Sequence, residues 1–420
     1  MTVKNHESNL KGMSLKRNTL WNIFGNIIHS LSQWALIVII AKLTNPEMVG
    51  IFSLGLALTA PLVLFLRFNL RMTVASDLTN EFNLGDYFTF RIYSSILFLA
   101  SMFLLMSIYP TDIYTKAVVL SLSLGKVFES ISDIIHADWQ KKERFDFIAK
   151  SKIIKSFSST LVFIIIMFLT KNLLIATISL SFMWLIFLVF YEKRIFTKYS
   201  EITFNFNKKT QFAIFKLTLP LGIAQLIASL NSNIPRYFIE YFHGIELLGI
   251  YSALIYIIVA GSNFILSISN VLVTRLAFYY KEGRVRRFIK LLFLPCMLTI
   301  LCGISAVVCT YYYGEEILKI IYSSEYSTFN KVFTVMVIMG IIKYINVFLD
   351  AGITSTRKFK LLPRVNLITM ITIVVFGGML ITKYGLIGAV YTLIIAESLQ
   401  LFVRLFILIR LLQFKNNGGV

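Results

Sequence analysis

Apolar residues in this chain arrive in long runs, separated by short polar and basic stretches. Residues 97–108 and 161–169 contain no charge at all, and each lies within a longer apolar segment. About 20 apolar residues in helical form cross a hydrocarbon core about 30 Å thick. The pattern predicts twelve such helices, at 18–41, 47–66, 88–109, 114–137, 154–171, 173–191, 212–239, 246–271, 288–313, 329–350, 364–382 and 385–409. Most connections between them are short; two, near 192–211 and 272–287, are longer and polar. The expected fold class is therefore an all-α polytopic membrane protein. The polar start, up to Arg17, leads straight into a full-length apolar segment, so the first helix is expected to be retained rather than cleaved as a signal.

Composition agrees with this reading. Of the 420 residues 57% are hydrophobic and 15% charged, too little charge for a soluble domain of this size. The net charge of +20 would suggest nucleic acid in a soluble protein. Location changes that view. Under the predicted topology all but nine of the 41 lysines and arginines fall in, or within six residues of, the N-terminal tail, the even-numbered loops and the C-terminal tail. Those segments share one side, and the positive-inside rule makes it the cytoplasm, with both termini there. The charge then reports topology and the anionic inner leaflet, and no nucleic-acid partner is expected. Cys296, Cys302 and Cys309 share one apolar segment without metal-site spacing, so neither metal nor disulfide chemistry is assigned to them.

The chain also echoes itself. Glu47-Met-Val-Gly-Ile-Phe-Ser53 opens the second predicted helix, and Glu246-Leu-Leu-Gly-Ile-Tyr-Ser252 opens the eighth. Basic loops with Arg144-Phe145 and Lys358-Phe359 follow the fourth and tenth. This predicts two six-helix lobes, 1–200 and 201–420, in a parallel repeat.

Several residues do not suit lipid. Lys126, Glu129 and Asp133 share one face of the fourth helix; a Lys126–Glu129 pair and a wet cavity face both fit that spacing. Lys343 and Asp350 share a face of the tenth helix, with Asn346 between. Arg236 lies in a bent, polar seventh helix containing Pro220, Asn233 and Pro235. Glu397 sits midway in the twelfth helix, one face-repeat from a pairing partner in Arg404. Asn22, Asn26, His29 and Gln33 form a polar stripe on the first helix that must meet protein or water. Arg67 and Arg71 end the second helix, as membrane anchors or as cations at a cavity mouth. Ionisable groups at membrane depth usually face a cavity. No nucleotide, zinc or dinucleotide motif appears, so no enzyme activity and no cofactor are expected.

The segments Leu15-Lys-Arg-Asn-Thr-Leu-Trp-Asn, Thr44-Asn-Pro-Glu-Met-Val-Gly-Ile-Phe-Ser, Phe68-Asn-Leu-Arg-Met-Thr-Val-Ala-Ser-Asp77 and Asn231-Ser-Asn-Ile-Pro-Arg-Tyr together resemble bacterial Wzx-type polysaccharide exporters, within the superfamily that includes MATE drug exporters and lipid II flippases. The resemblance implies a MATE-like fold in the bacterial cytoplasmic membrane and alternating access. It implies a flippase whose substrate is an oligosaccharide repeat unit on undecaprenyl pyrophosphate, with membrane lipids, a polymerase and glycosyltransferases as further partners. The anionic headgroup would be bound by Arg236, Lys343 and Lys126, with Arg71, Arg67, Asn26, Gln33 and Asn233 as further substrate-binding candidates. Glu129, Asp133, Glu397 and Asp350 would be the candidates for coupling to sodium or protons. An ion-coupled exporter of small amphipathic cations is the alternative. A membrane polymerase is disfavoured, because the longest predicted external loop, 314–328, holds no arginine.

Overall fold

A computed structural model describes residues 12–77, 81–356, 358 and 361–416. The first eleven residues, the last four, and Phe359 of the second basic landmark lie outside the described residues. Fourteen α-helices follow one another: α1 Leu15–Leu43, α2 Pro46–Arg67, α3 Leu70–Ser76, α4 Leu84–Ile108, α5 Ile113–Lys141, α6 Phe145–Thr170, α7 Leu173–Phe187, α8 Lys193–Thr197, α9 Lys208–His243, α10 Ile245–Lys281, α11 Val285–Ile321, α12 Ser324–Ser327, α13 Asn330–Ser355 and α14 Leu361–Asn416. A π-helical turn, Leu188–Glu192, joins α7 to α8.

Among the described residues ten helices are long and apolar enough to cross a membrane. α5 is not one of them, although it is 29 residues long; Lys126, Glu129 and Asp133 interrupt its apolar surface. α14 runs for 56 residues but breaks at Gly385, where φ is 59° and ψ is −132°. Only glycine adopts such a conformation without strain, so α14 is two helical arms. With α5 and the second arm included, the count returns to the twelve predicted segments.

Two expectations need correction. The polar connection at 272–287 is mostly helix, because α10 continues to Lys281 and α11 starts at Val285, leaving a turn at Gly283 with φ 69°. The stretch 314–328 is likewise mostly helical, in α11 and α12. Hydropathy records only the part of a helix that matches hydrocarbon, and these helices continue beyond it. For the same reason the fifth predicted helix starts earlier than its apolar run: α6 begins at Phe145 rather than near 154, which also puts Lys150 and Lys152 on a helix.

Local chemistry fixes several of the ends. The Asn83 backbone N–H donates to Asp86 Oδ2 at 2.8 Å, within a capping box that starts α4. Asp112 accepts from the Thr115 N–H at 2.9 Å to start α5, and Asn172 does the same for α7. Each satisfies donors that the first turn leaves free.

The chain divides into two compact units whose borders run through α1, α2 and α9. Unit 1 comprises Met1–Ser32 with Thr59–Leu226; unit 2 comprises Gln33–Leu58 with Ile227–Val420. Within unit 1, α5 packs against α3, α4 and α7. Within unit 2, α13 packs against α10, α11 and α14. In each unit a central helix therefore carries ionisable residues. The outer faces are hydrocarbon-like: Phe293, Leu294, Leu301 and Ile304 of α11 are all more than half exposed.

Candidate functional site

Unit 2 contains a polar pocket of about 230 Å³, lined from α9, α10, α13 and α14. Arg236, Lys343, Asn346, Asp350, Glu397 and Arg404 all reach it. The spacing argument for α13 holds, since Lys343, Asn346 and Asp350 line the same wall. The opposite face of α10 and α13 lines, with α11, an apolar cleft of about 470 Å³. Its Tyr344 hydroxyl is satisfied internally, donating to the Ile258 carbonyl at 2.9 Å.

The charges in the polar pocket are unevenly matched. Arg404 pairs with Asp350 at 2.9 Å. Glu397 accepts from Asn346 Nδ2 at 2.7 Å. Of the two readings open for Glu397, a cavity position or a pair with Arg404, the pair does not form, because α14 brings Arg404 to the acid of α13 instead. Lys343 has no hydrogen bond or ion pair among the described residues. Arg236 forms no ion pair among the described residues either. Its Nη1 donates to Asn233 Oδ1 at 3.0 Å, its guanidinium lies 5.4 Å from the Tyr256 ring, and its buried Nε has no partner. Asn233 is buried and anchored in turn, donating to the Ser229 carbonyl at 2.9 Å. It orients Arg236 rather than facing the pocket.

Unit 1 treats its cations differently. Lys126 donates to Glu129 at 2.8 Å, and Arg67 lies 3.4 Å from the same carboxylate. Arg71 lies 3.6 Å from Asp133 and donates through Nε to Gln140 at 2.9 Å. Arg67 also donates to Ser130 Oγ at 2.9 Å. Glu129 and Asp133 are therefore engaged by cations, and the pairing reading of Lys126 and Glu129 describes the geometry.

The polar stripe of α1 meets α6. Asn26 donates to Asn22 at 3.3 Å and accepts from Lys152 at 2.8 Å, while His29 shares a 2.8 Å hydrogen bond with Ser156. Gln33, the last residue of the stripe, belongs to unit 2, is half-buried, and has no partner among the described residues.

Two groups were missed by the sequence reading. Lys152 falls in a predicted loop, because the apolar run of its helix starts only at 154. A second cluster joins helices far apart in sequence: His136 lies 3.1 Å and Lys155 3.6 Å from Glu192, and Ser151 donates to the same carboxylate. The π turn before α8 aims Glu192 inward, where it is fully buried. No spacing rule connects residues 136, 151, 155 and 192; a buried acid needs such partners, but the sequence does not say which.

Comparisons with known proteins give a consistent picture. A profile described as polysaccharide biosynthesis protein matches residues 15–277. The capsular polysaccharide biosynthesis protein CapF of Staphylococcus aureus is 28% identical over 388 residues, covering 92% of this chain and 97% of CapF. Among solved structures, the lipid II flippase MurJ in an inward closed conformation superposes with a TM-score of 0.75 at 14% identity, over 96% of this chain and 90% of MurJ. A MOP superfamily transporter from Pyrococcus furiosus gives a TM-score of 0.66 at 14% identity, over 99% of each chain. These structural likenesses establish the MATE-like fold.

Proposed function

Because the chain belongs to the polysaccharide biosynthesis protein family, we propose that it is the flippase that moves undecaprenyl-pyrophosphate-linked oligosaccharide repeat units from the cytoplasmic to the outer leaflet by alternating access. It is a multi-pass membrane transport protein of the MOP superfamily rather than an enzyme. In this reading both termini are cytoplasmic, and the two six-helix lobes, 1–200 and 201–420, exchange access to the site.

The observation that supports the cargo is the pair Arg236 and Lys343, two cations without acid partners in one polar pocket. An uncompensated buried charge is costly. A protein that keeps buried Arg236 uncompensated, beside a half-buried Lys343, has a use for an anion arriving from outside. Pyrophosphate suits them: the planar guanidinium makes bidentate bonds to phosphate oxygens, and the ammonium adds a point charge. Asn233 and Tyr256 hold the guanidinium, so less ordering remains to be done on binding. The lipid tail stays in the bilayer while the sugars follow the polar route. Asp350 and Glu397 are engaged by Arg404 and Asn346, so they do not cancel the free cations. Glu129, Asp133, Glu397 and Asp350 remain the candidates for coupling to sodium or protons.

The test is Arg236→Ala and Lys343→Ala in cells whose surface polysaccharide depends on the chain. Each variant is expected to reach the membrane, lower surface polysaccharide about tenfold or more, as loss of one charged hydrogen bond of about 1.5–3 kcal/mol implies, and accumulate the lipid-linked unit inside. Normal polysaccharide in both variants would remove the anion assignment. Drug sensitivity on deletion with normal polysaccharide would favour the cation exporter instead.

A further inference from the structure

The matched heptapeptides that open α2 and α10 pack against each other within unit 2. A Cβ added at Gly50 would lie 1.9 Å from the Ile245 carbonyl oxygen. One added at Gly249 would lie 1.9 Å from the Pro46 carbonyl oxygen and 2.8 Å from the Gly50 nitrogen. The two helix starts therefore touch backbone to backbone, each through the glycine of its own heptapeptide. Only glycine permits that approach. Ser53 and Ser252, three residues further along each helix, are fully buried with unpartnered hydroxyls.

Two hydrogen-bond links tie the same segment down. Trp34 Nε1 of α1 donates to the Tyr322 hydroxyl at 3.1 Å, and that hydroxyl donates to the Ala253 carbonyl of α10 at 2.7 Å. The Tyr237 hydroxyl of α9 donates to the Ala57 carbonyl of α2. The acceptor is informative. Pro61 lies inside α2 and has no N–H, so the Ala57 carbonyl lacks its helical donor. Tyr237 occupies the one carbonyl that the proline leaves free. The border between the units falls between Leu58 and Thr59, close to Pro61.

We propose that Gln33–Leu58 is a strap, clamped to unit 2 by Gly50 and Gly249, hinged at Pro61 and latched there by Tyr237, and that its release is a step of the transport cycle. While latched, the strap holds the start of α2 against the start of α10. When Tyr237 withdraws, the Ala57 carbonyl turns to water or to another donor, and 46–58 swings about Pro61 without breaking a regular helical bond. The proposal rests on the transport reading of the family but not on which cargo is carried.

A cysteine reporter tests it. Cys296, Cys302 and Cys309 are replaced by Ala in the full chain, and Ser53→Cys supplies a buried thiol beside the clamp. Labelling by a water-soluble maleimide in permeabilised membranes reads strap opening. The parent is expected to label slowly, and Tyr237→Phe roughly fivefold faster, as loss of one ordinary hydrogen bond implies. Gly249→Ala is expected to label faster still. In a Pro61→Ala background position 61 regains an N–H for the Ala57 carbonyl, so the effect of Tyr237→Phe is expected to shrink towards nothing. Labelling unchanged by Tyr237→Phe, or accelerated equally with proline and with alanine at 61, overturns the latch. A parent that labels as fast as a cysteine at exposed Tyr241 overturns the strap. If the labelling pattern appears but the lipid-linked unit does not accumulate on deletion of the protein, the strap stands and only the cargo fails.

Discussion

Both units place basic residues on the inner faces of their long helices, but they use them in different ways. In unit 1, Lys126, Arg67 and Arg71 are tied to Glu129 and Asp133. In unit 2, Arg236 and Lys343 share a pocket in which the acids already have other partners. The same residue types therefore hold one unit together and stand available in the other. The difference comes from where the acids lie. α5 carries its own acids three and seven residues after Lys126, within reach on one helical face. On α13 the acid seven residues after Lys343 is taken by Arg404 of α14, leaving Lys343 alone.

The contrast is most exposed to charge reversal. Lys343→Glu would place a third acid in the unit 2 pocket, and transport is expected to fall by more than the roughly tenfold loss expected for Lys343→Ala. Accumulated lipid-linked precursor, with membrane abundance measured in parallel, checks it. Lys126→Ala in unit 1 is expected to change transport much less at equal abundance. Equal transport defects for Lys126→Ala and Lys343→Ala would erase the distinction between the units.

Next in size is the cost of breaking a structural cluster. Glu129→Gln leaves Lys126 and Arg67 facing each other without their carboxylate. Removing one partner of a fully buried pair costs about 3–5 kcal/mol. About a quarter of the Glu129 side chain is accessible, so water recovers part of that and roughly 2 kcal/mol remains. The expected result is a lower melting temperature in detergent and reduced abundance; transport per molecule that stays unchanged would remove Glu129 from the coupling candidates. Asp350→Asn is the matching probe in unit 2: it frees Arg404 beside the pocket and is expected to alter transport more than stability.

The smallest effect lies outside the membrane. Hydrogen bonding from Thr115 holds the Asp112 carboxyl below its ordinary value of 3.8. A carboxyl depressed by folding contributes stability above its unfolded pKa and loses it as pH falls through the folded value. Asp112→Ala is therefore expected to cost roughly 1 kcal/mol at neutral pH, as helix caps do, with the difference from the parent vanishing under strongly acidic conditions. Melting curves of both proteins across that range show whether it does.

Much of the architecture was legible in the chain because lipid imposes a single rule: backbone groups must be satisfied within the segment, so a long apolar run is a helix. The all-α polytopic class, with about ten to twelve spans, and the polar faces of α1, α5 and α13 followed from that rule and from helical periodicity. Side-chain spacing also placed Lys126 beside Glu129, and Lys343 on the face of Asp350, since both arguments stay within one helix. Helix ends beyond the hydrocarbon did not follow, which hid Lys152 and the helical part of 272–287. Partners from different helices did not follow either. Whether Arg404 met Glu397 or Asp350, which hydroxyl found the carbonyl freed by Pro61, and which residues gathered around Glu192 were decided by how helices distant in sequence pack. The two heptapeptides were visible as a repeat in the sequence. That their glycines meet, backbone on backbone, is a fact of tertiary structure, because close approach depends on the partner surface as much as on the residue that permits it.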